Sequence, residues 1–273
     1  MIIQCTKEQE SQLFNYLKEE AVYNTFLLAD IMNYGFDKDF QTVYGEFDEN
    51  GNCHGVYLRF YENLIVYTKT DDKLSSPVLT NEGTLFLNRL FCQWTPAVIM
   101  GKADTVCAIN SLLDTEKYSY SERPLYLLEN DTSLIDTNDF SIHKGTSKDA
   151  EDIYRFLASI DEMKTLYSSK EMIADRLENG DGTHYFIKNG NTLIGHANSA
   201  AVSIYTVMIG GVATAVKHRN RTYASALVSA LCRDILASGK KPCLFCTRNE
   251  EHNLFCRLGF FKAGSFGVLE RRG

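Results

Sequence analysis

The residues with the clearest chemical potential lie in the run Val216-Lys217-His218-Arg219-Asn220-Arg221-Thr222-Tyr223-Ala224. Lys217, Arg219 and Arg221 fall in a short polar stretch that follows the apolar run Tyr205–Val216. After it, Ala224, Leu227, Val228, Leu231 and Ile235 recur at helical spacing, so a strand passes through a basic loop straight into an amphipathic helix. A helix opening at Tyr223 would turn unpaired N–H groups and the positive end of its dipole towards that loop. With Arg219 and Arg221 beside it, this arrangement suits a phosphate or diphosphate held mostly by backbone amides. On these residues alone, a basic loop without a ligand stays open as the alternative.

The elements needed to position this loop can be read on both sides of it. Before it, Phe140–Lys144 reads as a strand, with helices following at Thr146-Ser147-Lys148-Asp149-Ala150 and over Ser169–Asn179. Tyr185–Lys188 and Thr192–Asn198 make a hairpin across Asn189-Gly190-Asn191. After it, the helix Tyr223–Ala237 meets Gly239 and Pro242 as stop signals. Then come a buried strand Cys243–Cys246, a short helix Asn249–Leu258 and a strand near Phe266–Arg271.

The first half repeats the order. Helices are expected at Lys7–Glu20 and Asn24–Tyr34, and strands at Thr42–Phe47, Gly55–Phe60 and Leu64–Thr68, with Asn50-Gly51-Asn52 in the first turn. A helix near Asn81–Cys92, a strand Ala97–Met100, a helix Asp104–Leu113 and a strand Leu125–Leu128 complete it. Two tandem α/β units are expected, 1–135 and 136–273, divided in the polar, turn-rich stretch Asn130–Asp139.

Composition narrows the function classes. With 273 residues, 44% hydrophobic and 23% charged, the chain is neither disordered nor fibrous. No run approaches the ~20 apolar residues of a membrane span, and the start Met1-Ile2-Ile3-Gln4-Cys5-Thr6-Lys7-Glu8 has no signal-peptide pattern. A cytoplasmic protein without a membrane partner is expected, its eight cysteines free. From His184 onward twelve Lys/Arg face four Asp/Glu, a balance of +8, on a chain of net charge −7. A small anionic ligand fits the basic last third, whereas a nucleic acid would be repelled by the rest.

Taken in order, the strand, the Arg-x-x-Thr-x-Ala form of the loop at Arg219–Ala224, the helix, and then Asn249-Glu250-Glu251-His252-Asn253-Leu254-Phe255-Cys256-Arg257-Leu258-Gly259-Phe260 resemble the GNAT superfamily of N-acetyltransferases. The resemblance spans about Phe140 to the C-terminus. It implies two tandem GNAT-like domains, each a mostly antiparallel mixed sheet flanked by helices, the first degenerate. It also implies acetyl-CoA as co-substrate, with Val212, Ala213 and Thr214 holding pantetheine. Arg219, Asn220, Arg221, Thr222, Tyr223 and Ala224 would hold the diphosphate, and Asn253 would lie near the thiol end.

The implied reaction is direct attack of an amine, from a small molecule or a peptide, on the thioester, with the oxyanion held by an N–H near Val212. Two glycines of the usual loop are replaced by Asn220 and Thr222, and Phe255 stands where the family often has a proton-donating Tyr. The remaining catalytic candidates are His196, as a base acting through water, and Cys256, as a thiol donor. A structural histidine and a packed cysteine are the plainer readings of those two. Glu162 and Glu171 fall on the acceptor-lining helices. Cys243 and Cys246, three apart on a strand, face opposite ways and cannot share a metal, so no metal site is expected. A homodimer, and a non-catalytic CoA-binding or regulatory module, are left open.

Overall fold

A computed structural model describes residues 1–69, 78–114, 116–163, 167, 169–246 and 254–272. The chain forms two compact units, Met1–Leu125 with Ala263–Gly273, and Tyr126–Lys262.

The first unit runs β1 (Ile2–Gln4), α1 (Glu10–Leu17), α2 (Thr25–Tyr34), β2 (Asp37–Lys38), β3 (Gln41–Phe47), β4 (Cys53–Phe60), β5 (Asn63–Thr68), α3 (Asn81–Gln93), β6 (Val98–Lys102), α4 (Ala103–Asn110) and β7 (Tyr118–Leu127). Strands β3, β4 and β5 pair antiparallel, and β6 then pairs parallel to β5 from Asn63↔Val98 to Val66↔Gly101. Asp48 shapes the β3–β4 turn by accepting from the amides of Asn50 and Asn52, both at 2.8 Å, and Gly51 takes φ +82°.

The second unit runs β8 (Ile142–Lys144), α5 (Ala150–Ala158), α6 (Lys170–Asn179), β9 (His184–Asn189), β10 (Thr192–Val202), β11 (Thr206–Thr214), α7 (Tyr223–Ala237), β12 (Lys241–Phe245) and α8 (Leu254–Arg257). Its strands follow the order β12-β11-β10-β9-β8, with β11 parallel to β12 and the rest antiparallel. Helix α7 buries Leu227, Val228, Leu231 and Ile235 against Ile187, Ile194 and Ile209, as its 3.6-residue apolar spacing dictates. On the other face, Ile153, Leu157 and Ile173 of α5 and α6 pack on Phe186, Leu193 and Ala213.

The two units share one pattern. Each opens with a short strand and a capping box, Thr6 with Gln9 and Thr146 with Asp149, before its helix pair. Each continues with a meander, a helix and a parallel strand. The last strand, β13 (Phe261–Arg271), pairs antiparallel with β6 and so completes the sheet of the first unit rather than the second.

The expected boundary stretch belongs to the second unit. Leu134 and Ile135 pack into its core, the Ser229 hydroxyl accepts from the Ile135 amide at 3.2 Å, and Arg233 donates to the Ile135 carbonyl at 2.6 Å. Polar, turn-forming residues there mark a packed connector. Strand β7 begins at Tyr118, well before the expected Leu125: Tyr118 is buried and Tyr120 half-buried, alternating with exposed Ser119 and Ser121 ahead of the polar Glu122-Arg123 pair.

Candidate functional site

The site is built where β11 passes into α7. Strand β11 pairs with β12 only over Thr206↔Lys241, Val207↔Pro242 and Met208↔Cys243, although β11 continues to Thr214 and β12 to Phe245. Beyond Met208 the strands part, leaving an edge of β11 that carries Val212, Ala213 and Thr214. Ala213 is buried, and Val212 and Thr214 are half-buried.

A 3-10 turn over Val216–His218 leads to Arg219, Asn220, Arg221 and Thr222. Asn220 at φ +61° and Thr222 at φ +66° both adopt the left-handed conformation, at the two positions where the sequence lacks glycine. For Asn this is tolerable, because its short amide bonds locally; for a β-branched residue it is strained. Two left-handed residues so close together bend the loop sharply just ahead of the N–H groups that open α7. Thr222 is the N-cap of α7, yet its side chain makes no capping hydrogen bond. The amides of the first turn, starting at Tyr223 and Ala224, therefore lack a side-chain acceptor from their own cap, and that turn contains no acidic residue.

The two arginines are placed differently. Arg219 Nε donates to the Thr214 carbonyl at 3.2 Å, bracing the loop across its mouth. Arg221 is exposed at the entrance.

The equivalent helix of the first unit is closed. Thr80 caps α3 by accepting from the Gly83 amide at 2.9 Å, and its hydroxyl donates to the buried carboxylate of Glu46. Tyr57 donates to the same carboxylate at 3.0 Å. The protein thus supplies its own anion at that helix N-terminus.

His196 sits under β11 at no solvent exposure. Its Nδ1 lies 2.7 Å from the Gly211 carbonyl and its Nε2 2.8 Å from His184 Nδ1. A carbonyl only accepts, so His196 Nδ1 carries its proton and Nε2 is the acceptor for the His184 Nδ1–H. Burial pushes the His196 imidazole down to about 4. Burial, then the His196 and Arg176 charges, push His184 down to about 2. The expected role of His196 as a base acting through water does not match this arrangement, because its lone pair is already engaged and no solvent reaches it.

Cys256, on α8, is a half-buried free thiol packed on the core with Leu254 and Phe255, the setting of a packing residue rather than an acid. Phe255 meets Phe260 edge to face at 5.9 Å. Glu162 and Glu171 are exposed. Asn253 lies outside the described residues. Cys243 and Cys246 are both buried. Among the described residues no group of His, Cys, Asp and Glu could hold a metal, and no helix is long and apolar enough to cross a membrane.

Sequence reasoning missed the partners of His196. His184, Asn198, Tyr167 and Gly211 meet beneath the strand: Tyr167 donates to Asn198 Oδ1 at 3.0 Å, and Gly211 takes φ +56°. The signal that could have found them is Gly210-Gly211, a glycine pair inside an otherwise apolar strand.

Residues 148–260 match the model of the acetyltransferase (GNAT) family. No curated protein matches the chain by sequence. Among solved structures, a Drosophila protein superposes with a TM-score of 0.67 at 12% identity, covering 99% of this chain and 98% of that one. A GCN5-related N-acetyltransferase from Sphaerobacter thermophilus gives 0.61 at 13%, covering 99% and 95%. A tandem GNAT protein from the clavulanic acid biosynthesis pathway gives 0.58 at 10%, covering 100% and 98%. These likenesses establish the fold, two tandem GNAT-like units.

Proposed function

From a GNAT acetyltransferase domain at residues 148–260, we propose that the chain is an acetyl-CoA-dependent N-acetyltransferase acting on a primary amine. The observation that carries this reading is the open N-terminus of α7, entered through left-handed Asn220 and Thr222 beside the edge of β11 that β12 leaves uncovered after Met208↔Cys243. An elongated ligand with amide groups at one end and a diphosphate at the other needs those two features in sequence. The residues present fit acetyl-CoA, since the usual loop geometry is kept without the usual glycines. Backbone amides of Arg221 to Ala224 would receive the diphosphate, Arg221 would add charge, and Val212, Ala213 and Thr214 would pair with pantetheine.

Bound acetyl-CoA supplies an activated acetyl thioester. The chain's residues would hold its ends and would present the Val212 amide to the carbonyl oxygen as charge builds there. The incoming amine, neutral when it attacks, forms the new C–N bond as the C–S bond breaks, and the proton it loses balances the thiolate released. Positioning carries much of such a rate, which suits a site whose best imidazole is engaged elsewhere. The closed helix end at Glu46 supports reading the first unit as a structural or substrate-shaping partner without its own nucleotide.

The engaged His196 and the phenyl ring of Phe255 favour one rival: a module that binds CoA without turning it over. Calorimetry with CoA, paired with thiol release over a panel of amines, separates the two, because binding without release supports the rival. In the same titration, Arg221→Glu should weaken CoA at least about tenfold by like-charge repulsion. An unchanged affinity would remove the loop from the site.

A further inference from the structure

We propose that His184 and His196 are positioning residues that lock the peptide between Gly211 and Val212, so that the Val212 N–H faces the opened edge of β11 as a fixed donor for an acyl carbonyl oxygen. The proposal rests on the reading of the chain as an acyl-CoA enzyme.

The register sets it up. His196 pairs with Ala213 and Asn198 with Gly210, so Gly211 and Val212 together oppose the single residue Ala197. The extra residue makes a bulge, and Gly211 absorbs it with φ +56°. A bulge left to itself has a loose peptide. Here the Gly211 carbonyl is tied down, because His196 Nδ1–H donates to it at 2.7 Å. No peptide bond is cis, and in a trans peptide the C=O and the next N–H point in opposite directions. His196 belongs to β10, so a carbonyl drawn to its ring leans towards that strand and the Val212 N–H leans away from it. On that side the pairing with β12 has ended at Met208↔Cys243.

His184 completes the device. An imidazole in a dry core could carry its proton on either nitrogen, and only the Nδ1–H form can donate to Gly211. By donating its own Nδ1–H to His196 Nε2 at 2.8 Å, His184 selects that form and fixes the ring plane. The surroundings leave no slack. A Cβ on Gly211 would stand 2.5 Å from the Tyr167 hydroxyl, 2.7 Å from Asn198 Oδ1 and 3.0 Å from His196 Cε1. Tyr167 and Asn198 are themselves joined at 3.0 Å. Among the described residues, Tyr167 and, from α6, Arg176 lie beside the pair; Arg176 donates to the carbonyls of Ser199 and Ala200 at the next irregularity of β10 and lies 3.8 Å from the Asp181 carboxylate.

The test compares CoA with acetyl-CoA, which differ at the acyl group the amide would touch. In wild-type protein, acetyl-CoA should shift the Val212 amide proton resonance and CoA should not, and acetyl-CoA should bind about fivefold tighter, the worth of one net hydrogen bond. His196→Leu should abolish that preference while leaving CoA affinity within about twofold. His196→Asn, whose amide nitrogen can replace Nδ1 as the donor, should restore it. A Val212 resonance indifferent to the acyl group, a preference retained in His196→Leu, or equal losses of both ligands would each overturn the relay. Should His196→Leu fail to fold, the wild-type Val212 shift and His196→Asn decide the matter. Wild-type protein that binds neither ligand would instead overturn the functional reading on which the relay rests.

Discussion

Thr222 pays a local cost for a shape that serves the loop as a whole. A non-glycine residue in the left-handed region is about 1–2 kcal/mol worse than in the right-handed one, and a β-branched side chain is less tolerant still. Nothing is recovered through a cap, since its side chain makes no hydrogen bond to the helix it precedes. Thr222→Gly should therefore stabilise the protein by about 0.5–1 kcal/mol after the extra entropy of unfolded glycine is counted. Tm would rise by about 1–3 °C, with CoA affinity retained. A lower Tm would mean that the threonine side chain holds something worth more than the strain. The basic loop itself was legible in the sequence, because charge, spacing and the following helix all lie within one short window. The His184–His196 pair was not legible, because a hydrogen bond between two strands depends on register and bulges, and no local pattern encodes those.

Helices α3 and α7 occupy the same place in their repeats and differ in what sits at their N-termini. Thr80 caps α3 and is itself held by Glu46, which Tyr57 also donates to. Thr80→Ala should cost about 1 kcal/mol as a lost cap, read as a lower urea midpoint. Thr222→Ala at the matching place on α7 has no cap to lose. Equal losses at the two sites would deny the contrast between a closed and an open helix end. Element boundaries were legible where two signals agreed. Tyr223–Ala237 was placed at both ends because its apolar period ends at a glycine. The strand after it runs Lys241–Phe245, and its buried centre at Cys243 and Leu244 is the part that the apolar run marks most clearly. The strand before it, expected over Tyr205–Val216, stops at Thr214, because Val216–His218 coils into a 3-10 turn that no hydrophobic period reveals.

At the scale of the whole chain, each unit should respond to its own buried chemistry. Leu269 is fully buried with Tyr57 and Leu64, so Leu269→Ala should cost about 2–5 kcal/mol in the first unit although the residue lies at the far end of the sequence. Hydrogen exchange of β4 and β5 would locate that loss. Acid should strike the second unit. His184 and His196 are held neutral, their pKa values lowered from 6.5 to about 2 and about 4. An imidazole lowered in the folded state binds fewer protons there than in the unfolded chain, so stability is complete above pH 6.5 and drains away as pH falls below it. The loss continues until the folded imidazoles take up protons, near pH 4 for His196 and lower for His184. At pH 5 the penalty is about 2 kcal/mol for each ring. Carboxylates such as Asp48, lowered to about 2 by Asn52, give up their contribution only below the ordinary carboxylate range, so the interval from pH 6.5 to 5 belongs to the histidines. Denaturant midpoints for the second unit should fall across that interval, and His196→Asn, with one titrating ring fewer, should flatten the fall by about half. A slope that survives this substitution would place the proton uptake outside the pair, and with it the claim that both rings are locked neutral beneath β11.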